Sequence, residues 1–243
     1  MMAELPLITP DWPAPANVKA LQTTRQGGVS MGVYASLNLG DHVKDNPQHV
    51  AANRQLLSAY LPSEPVWLNQ VHGVRVIDAA LSSCLESADA SVATHKQVVC
   101  VTMTADCLPV LLCDHAGTVV AAVHAGWRSL CDGVIEATVA AMPVPADQLM
   151  AWLGPAIGPE AFEVGSEVRA QFMAKDEQAE SAFKAKGDKW LGDLYTIARQ
   201  RLQRLGVTQV YGGGHCTFSE SETFFSFRRD GDTGRMGSFI WLE

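Results

Sequence analysis

No run of about 18 apolar residues occurs in the 243-residue chain, which excludes an ordinary membrane-spanning helix. Basic residues are few and unclustered: 18 Lys and Arg face 26 Asp and Glu, a formal charge of −8. Nucleic acid and anionic membranes need a basic surface, so a small molecule is the expected partner. The six cysteines (Cys84, Cys100, Cys107, Cys113, Cys131, Cys216) include no Cys-x-x-Cys pair. Their irregular spacing speaks against a disulfide framework and against a zinc knuckle, and for reduced thiols. The first residues carry Glu4 and Asp11 among prolines, where a signal peptide needs a basic end and an apolar block; cytoplasmic residence is the expectation. Internal repeats and low-complexity tracts are absent as well.

What is present is a chain 47% hydrophobic and 18% charged, long enough to bury a sizeable core. It reads as one domain over residues 1–243, with residues 1–16 an extended, proline-rich lead-in. Short apolar runs bounded by Gly, Asp or Pro predict strands at 18–23, 65–71, 74–77, 98–103, 109–113, 119–124, 150–153, 223–228 and 238–241, the last two bracketing a DGDTG turn. Asn46 and Pro47 form a cap and first-turn pair for a helix to about Tyr60. Leu130, Val134, Ala137 and Ala141 recur at helical spacing. Asp193 opens a third helix, with Leu194, Ile197, Ala198, Leu202 and Leu205 on one face and Gly206 as its stop. The segment 175–189 reads as a solvated surface without a role. About ten strands and four helices, without strict alternation, predict a mixed α/β sandwich with helices outside packed sheets.

Three segments share one design: WLNQVHG with His72, MTADCLP with Cys107 and AAVHAGW with His124 each place a metal-ligand type at the end of a predicted strand. Strand ends can hold nitrogen and sulfur donors at the ~2.0–2.3 Å that zinc requires. Three ligands from three separate segments leave a fourth position open, the pattern of a catalytic site; zinc there would lower the pKa of its water to about 7. Asp106, beside the cysteine, is placed to orient that water, a histidine ligand or a substrate hydroxyl, or equally to cap a turn. The same residues also fit a metal-free arrangement, with Cys107 as nucleophile and His124 or His72 as base, and a structural clip in a non-enzymatic protein.

Arg25 precedes a Gly-Gly turn in TTRQGGVS, where a guanidinium and free amides suit an anion such as phosphate; a surface ion pair is the bland alternative. Asn38 and His42 in SLNLGDH suit sugar hydroxyls or a base edge, or simply a tight turn. GPAIGPEAFEVG forms either a substrate wall or a tight connection, and Arg228 and Arg229 in FFSFRRD offer an anion contact or a solvent-facing pair.

TTRQGGVS, SLNLGDHVKDNPQHVAANR, VWLNQVHG, VTMTADCLPVLL, AAVHAGWRSL, AWLGPAIGPEAFEVG and FFSFRRDGDTGRMGSFIWL together resemble the YfiH-like family, formerly labelled multicopper polyphenol oxidases or laccases, over essentially the whole chain. The resemblance implies a four-layer α/β/β/α sandwich and one zinc held by His72, Cys107 and His124. It implies phosphorolysis of adenosine, inosine, guanosine and methylthioadenosine, together with deamination of adenosine. Asp106 and Cys107 are then the catalytic candidates, and Arg25, Asn38, His42 and Arg228 the candidates for binding nucleoside and phosphate. Bacterial members are further linked to correcting peptidoglycan precursors that carry L-serine in place of L-alanine, which a Cys-His amidase reading would serve. The oxidase label meets an arithmetic obstacle: the seven histidines include no His-x-His pair, so a multicopper cluster cannot be built. A single copper can still replace zinc at a His-Cys-His site, since Cu(II) stands higher in the Irving–Williams order, so weak laccase-like polyphenol oxidase activity of copper-loaded protein is a further alternative.

Overall fold

LPVLLCD and VAAVHA carry apolar side chains on both sides of the pleat, so strands made from them must be covered on both faces. The computed structural model describes residues 4–82 and 85–243. In chain order its strands are β1 (Val18–Gln22), β2 (Val76–Asp78), β3 (Ala90–Ala93), β4 (Cys100–Thr104), β5 (Leu108–Asp114), β6 (Val120–Ala125), β7 (Leu149–Leu153), β8 (Glu163–Val164), β9 (Phe183–Lys186), β10 (Lys189–Gly192), β11 (Gln209–Gly212) and β12 (Met236–Leu242). The helices are α1 (Pro47–Leu57), α2 (Trp127–Asp132), α3 (Val134–Ala141), α4 (Ser166–Lys175), α5 (Leu194–Leu205) and α6 (Phe227–Asp230).

A six-stranded sheet, ordered β11-β7-β5-β6-β3-β2, is antiparallel at its centre and parallel at both edges. Its side chains part by the period-two rule. Val110, Leu112 and Val123 pack with Val134, Ile135, Ile197 and Ala198 of α3 and α5. Leu111, Cys113, Ala122 and Trp152 meet Cys100, Ile240 and Leu242 of the antiparallel sheet β1-β12-β4. The far side of that second sheet, with Val101, Phe239 and Trp241, is closed by Leu57 of α1 and by Leu37 and Leu39. The layers run helix, sheet, sheet, helix, a mixed α+β fold, with a small sheet β8-β10-β9 beside them.

The caps behave as their chemistry dictates. Asn46 accepts from the Gln48 amide ahead of Pro47, Asp193 accepts from the Thr196 amide, and Gly206 ends α5 at φ +97°. Elsewhere the structure corrects the expected elements. The helix expected through 130–141 is two, because Gly133 at φ +102° separates α2 from α3. Residues 65–71 are not a strand: only Val66 and Asn69 make isolated bridges, and the Gln70 side chain takes the Met103 N–H and C=O that a strand backbone would have used. Residues 223–228 turn into α6, because the Ser226 hydroxyl accepts from the Arg229 amide and starts a helical turn. The segment 175–189 is not wholly solvated either, since Ala179, Ala182 and Phe183 enter the helix-side core. Within the lead-in, Leu5 is buried and Ile8 bridges to Gln22; residues 1–3 and Cys84 lie outside the described residues. Among the described residues no helix is long and apolar enough to cross a membrane, and the other five cysteines are free thiols.

Candidate metal centre

Cys107 stands in the turn by which the chain leaves β4 in one sheet for β5 in the other. The register of β5 on β6 pairs Pro109 with His124 and Leu108 with Ala125, which brings the end of β6 beside that turn. His72 arrives from a third segment, in a turn where its φ is +59°. The ligand atoms of His72, Cys107 and His124 all lie within 4.8 Å of one another, and Cys107 Sγ is 3.8 Å from His72 Nε2. Donors bonded tetrahedrally to one zinc sit about 3.6 Å apart, so the spacing fits a single ion. No other His, Cys, Asp or Glu among the described residues joins the group.

Asp89, fully buried and not singled out by its sequence, organises two of the three ligands. Its Oδ1 accepts from His124 Nδ1 at 2.8 Å and from the His72 amide at 2.9 Å; its Oδ2 accepts from the Gly73 amide at 2.6 Å and the Val71 amide at 3.3 Å. Its carbonyl takes the His124 amide as well. An ionised carboxylate only accepts, so it sets the His124 tautomer with the Nε2 lone pair free for a metal. Burial would raise the Asp89 pKa, but the hydrogen bonds from His124 and the amides hold it below the usual range. The only hint in the sequence was an acid set among small residues in SADASVA.

Burial likewise opposes ionisation of Cys107, yet His124 and His72 draw its pKa down to about 6. Burial works against the charge on His124, and the Cys107 sulfur and Asp89 raise its pKa to about 9. Without metal, the two form a thiolate–imidazolium pair. Cys100 and Cys113, buried away from any cation, are pushed up to about 12. Cys216 is drawn down as well, burial there being outweighed by hydrogen bonds from Ser219 and backbone amides, so what sets Cys107 apart is its pair of histidines.

These ligands open onto a cavity of about 430 Å³, within the range of small-molecule sites. Trp127, Ile157, Phe162 and Leu194 supply apolar wall, so the loop GPAIGPEAFEVG contributes to the cavity as well as connecting strands. Asp106 lies on the wall at φ +89°; its carboxylate accepts from the Thr217 hydroxyl and the Arg228 amide, both at 2.6 Å. His42 and Arg228 also line the cavity. Burial first, then Arg235, holds the His42 pKa below its ordinary value against the pull of Asp41.

Arg25 and Asn38 are elsewhere. The Arg25 guanidinium donates to the carbonyls of Ala35 and Ser221 and lies 4.8 Å over the Phe225 ring. Asn38, fully buried, accepts from the Gly40 and Arg235 amides and donates to Asp45. Neither is among the cavity-lining residues, whereas Arg128 and Arg235, unmarked in the sequence, are. Arg229 pairs with Asp230 and donates to the carbonyls of Thr217, Phe218 and Phe224.

The family model described as multi-copper polyphenol oxidoreductase laccase matches residues 19–243. A protein named purine nucleoside phosphorylase YfiH from Escherichia coli (strain K12) is 57% identical over 239 residues, covering 97% of this chain and 98% of its own. Purine nucleoside phosphorylase PA4543 of Pseudomonas aeruginosa is 55% identical, covering 97% and 98%. Among solved structures, Neisseria meningitidis protein NMB0706, described as DUF152, superposes with a TM-score of 0.94 at 55% identity over 98% of this chain and 99% of that one. The Bacillus licheniformis hypothetical protein YfiH gives 0.86 at 30% identity, covering 93% of each. With a family model spanning nearly all its length and relatives above half identity, the chain belongs to the YfiH (DUF152) family.

Proposed function

We propose that this protein is a zinc-dependent purine nucleoside phosphorylase, acting on adenosine, inosine, guanosine and methylthioadenosine, with adenosine deaminase activity. One observation carries the reading: two histidines and a polarised cysteine converge on the wall of a nucleoside-sized cavity, in a chain more than half identical to proteins named purine nucleoside phosphorylase. The nitrogen and sulfur donors suit zinc, with copper, which binds such sets more tightly, as the competing ion. His72, Cys107 and His124 would hold the zinc, which would supply Lewis-acid chemistry at the cavity wall.

The chain's own residues do the rest. Asp89 fixes the His124 ring through Nδ1 and the His72 turn through its amides. Asp106, anchored by Thr217 and the Arg228 amide, keeps a carboxylate at the cavity wall beside Cys107 to accept a hydrogen bond from substrate or water. His42, kept neutral by burial, offers a ring nitrogen to a sugar hydroxyl or base edge. Trp127, Ile157, Phe162 and Leu194 exclude water from one side of the bound ring system.

The test follows adenosine and phosphate through metal-free, zinc-loaded and chelated protein, measuring adenine, hypoxanthine, inosine and ribose 1-phosphate. Turnover is expected with zinc, lost on chelation and lost in His72→Ala. A second reading, a thiol amidase with Cys107 as nucleophile, draws on the thiolate–imidazolium pair. It predicts activity without metal, so full turnover by metal-free protein would overturn the zinc reading.

A further inference from the structure

The charge on the cavity wall is opposite to that of the chain. The protein carries a formal −8, yet the cavity at the His72–Cys107–His124 group is lined by Arg128, Arg228 and Arg235. The single carboxylate among its described lining residues, Asp106, already accepts from Thr217 and from the Arg228 amide. The three guanidiniums form no ion pair with described residues, unlike Arg201, which pairs with Glu136, or Arg204, which pairs with Asp176. The Arg128 guanidinium lies 4.4 Å over the Trp127 ring and makes no hydrogen bond to a described residue. Arg228 engages one carbonyl, that of Glu163, through Nη1. Arg235 uses Nη1 on the carbonyls of Thr233 and Gly234, leaving Nε and Nη2 without a described partner.

Gathering like charges in a concave, partly apolar wall is unfavourable unless an anion arrives to neutralise them. The guanidinium fork matches the paired oxygens of a phosphate group and binds them with charge-assisted hydrogen bonds. We infer that Arg128, Arg228 and Arg235 form an oxyanion subsite in the metal cavity that takes a phosphate group, either free orthophosphate or the phosphoryl group of a substrate. Orthophosphate as co-substrate rests on the phosphorolysis reading above; the binding of an oxyanion does not. The guanidinium of Arg25, the sequence-level candidate for this role, is engaged with carbonyls outside the cavity.

The experiment measures thermal unfolding of the zinc-loaded full-length protein in orthophosphate, in adenosine 5′-monophosphate and in chloride of equal ionic strength. At least one phosphate compound raises Tm above the chloride control, and which of them does so identifies the source of the anion. The shift is lost in Arg128→Met, whose side chain is exposed and free of hydrogen bonds and so can change without unfolding the chain, and it shrinks in Arg235→Lys. In turnover assays the KM for phosphate rises about tenfold or more in Arg128→Met, the scale of one lost charge-assisted bond, while the nucleoside KM stays within about twofold. If neither anion shifts wild-type Tm, or both variants keep the full shift, the subsite is wrong. If wild type turns over no nucleoside but the anion shift persists and depends on Arg128, the subsite stands and the phosphorolysis reading falls.

Discussion

Replacing Gly126 by alanine adds one methyl group against two of the three side chains of the metal centre. Gly126 has φ −60° and ψ 157°, a conformation any residue adopts, so alanine costs nothing in the backbone. Its Cβ would stand 2.8 Å from His72 Cδ2 and 3.0 Å from Cys107 Sγ. Ordinary carbon contacts begin near 3.5 Å, so the His72 ring has to retreat by about 0.7 Å. Metal–ligand distances tolerate only about ±0.2 Å. His72 is exposed, on a turn, and can swing away without unfolding anything, whereas Cys107 stands in the short turn pinned between β4 and β5. Gly126→Ala is therefore expected to keep its folding stability within about 1 kcal/mol. Its zinc Kd rises roughly ten- to hundredfold, or about 1.4–2.7 kcal/mol. Competition against a chromophoric chelator reads the affinity, and urea unfolding of the metal-free protein reads the stability. A zinc Kd within twofold of wild type would refute the crowding argument; outright unfolding would refute the claim that His72 is the part that yields.

Asp89→Asn leaves an NH2 in place of one carboxylate oxygen, facing N–H donors from which it cannot accept, either the Gly73 and Val71 amides or the His72 amide and His124 Nδ1. A loss of roughly 2–4 kcal/mol in urea unfolding is expected, with at least about tenfold weaker zinc binding; an Asn variant as stable as wild type would show that the carboxylate organises nothing. Because the folded pKa of Asp89 lies below its unfolded value, its stabilisation is present above the ordinary carboxylate range and is lost as pH falls through the depressed value. The acid-side fall in stability of metal-free wild type is thus expected to be shallower in Asp89→Asn. Thiolate absorbance of Cys107 in metal-free protein is expected to appear with a midpoint at about 6, and to move up in His124→Asn; the Cys107→Ser difference spectrum isolates the signal. The attraction between the pair holds from about 6 to about 9, weakening below as Cys107 gains a proton and above as His124 loses one.

Chemistry confined to a few neighbouring residues could be read without coordinates. Asn46 with Pro47, and Asp193 with Gly206, announced two helices because capping uses only the backbone groups of one turn. The strands β5, β6, β7 and β12 were legible because continuous apolar runs need cover on both faces. The segments of His72, Cys107 and His124 stood out because each sets a metal-ligand type at the expected end of a strand. Their convergence needed the pairing of β5 with β6 and a crossing between two sheets, neither of which is encoded near the ligands.

Roles that depend on distant partners were decided by the tertiary structure alone. An arginine's charge and reach are the same wherever it stands, so nothing local separates Arg25, engaged with Ala35 and Ser221, from Arg128, which faces the cavity. Gln70 looks like part of a strand until its side chain meets Met103, 33 residues away. Asp89 is one acid among many until folding buries it under His72 and His124, 17 and 35 residues distant. Local sequence determines which groups are present and how the backbone starts and stops; burial and long-range pairing determine which of those groups share a site and which proton each one keeps.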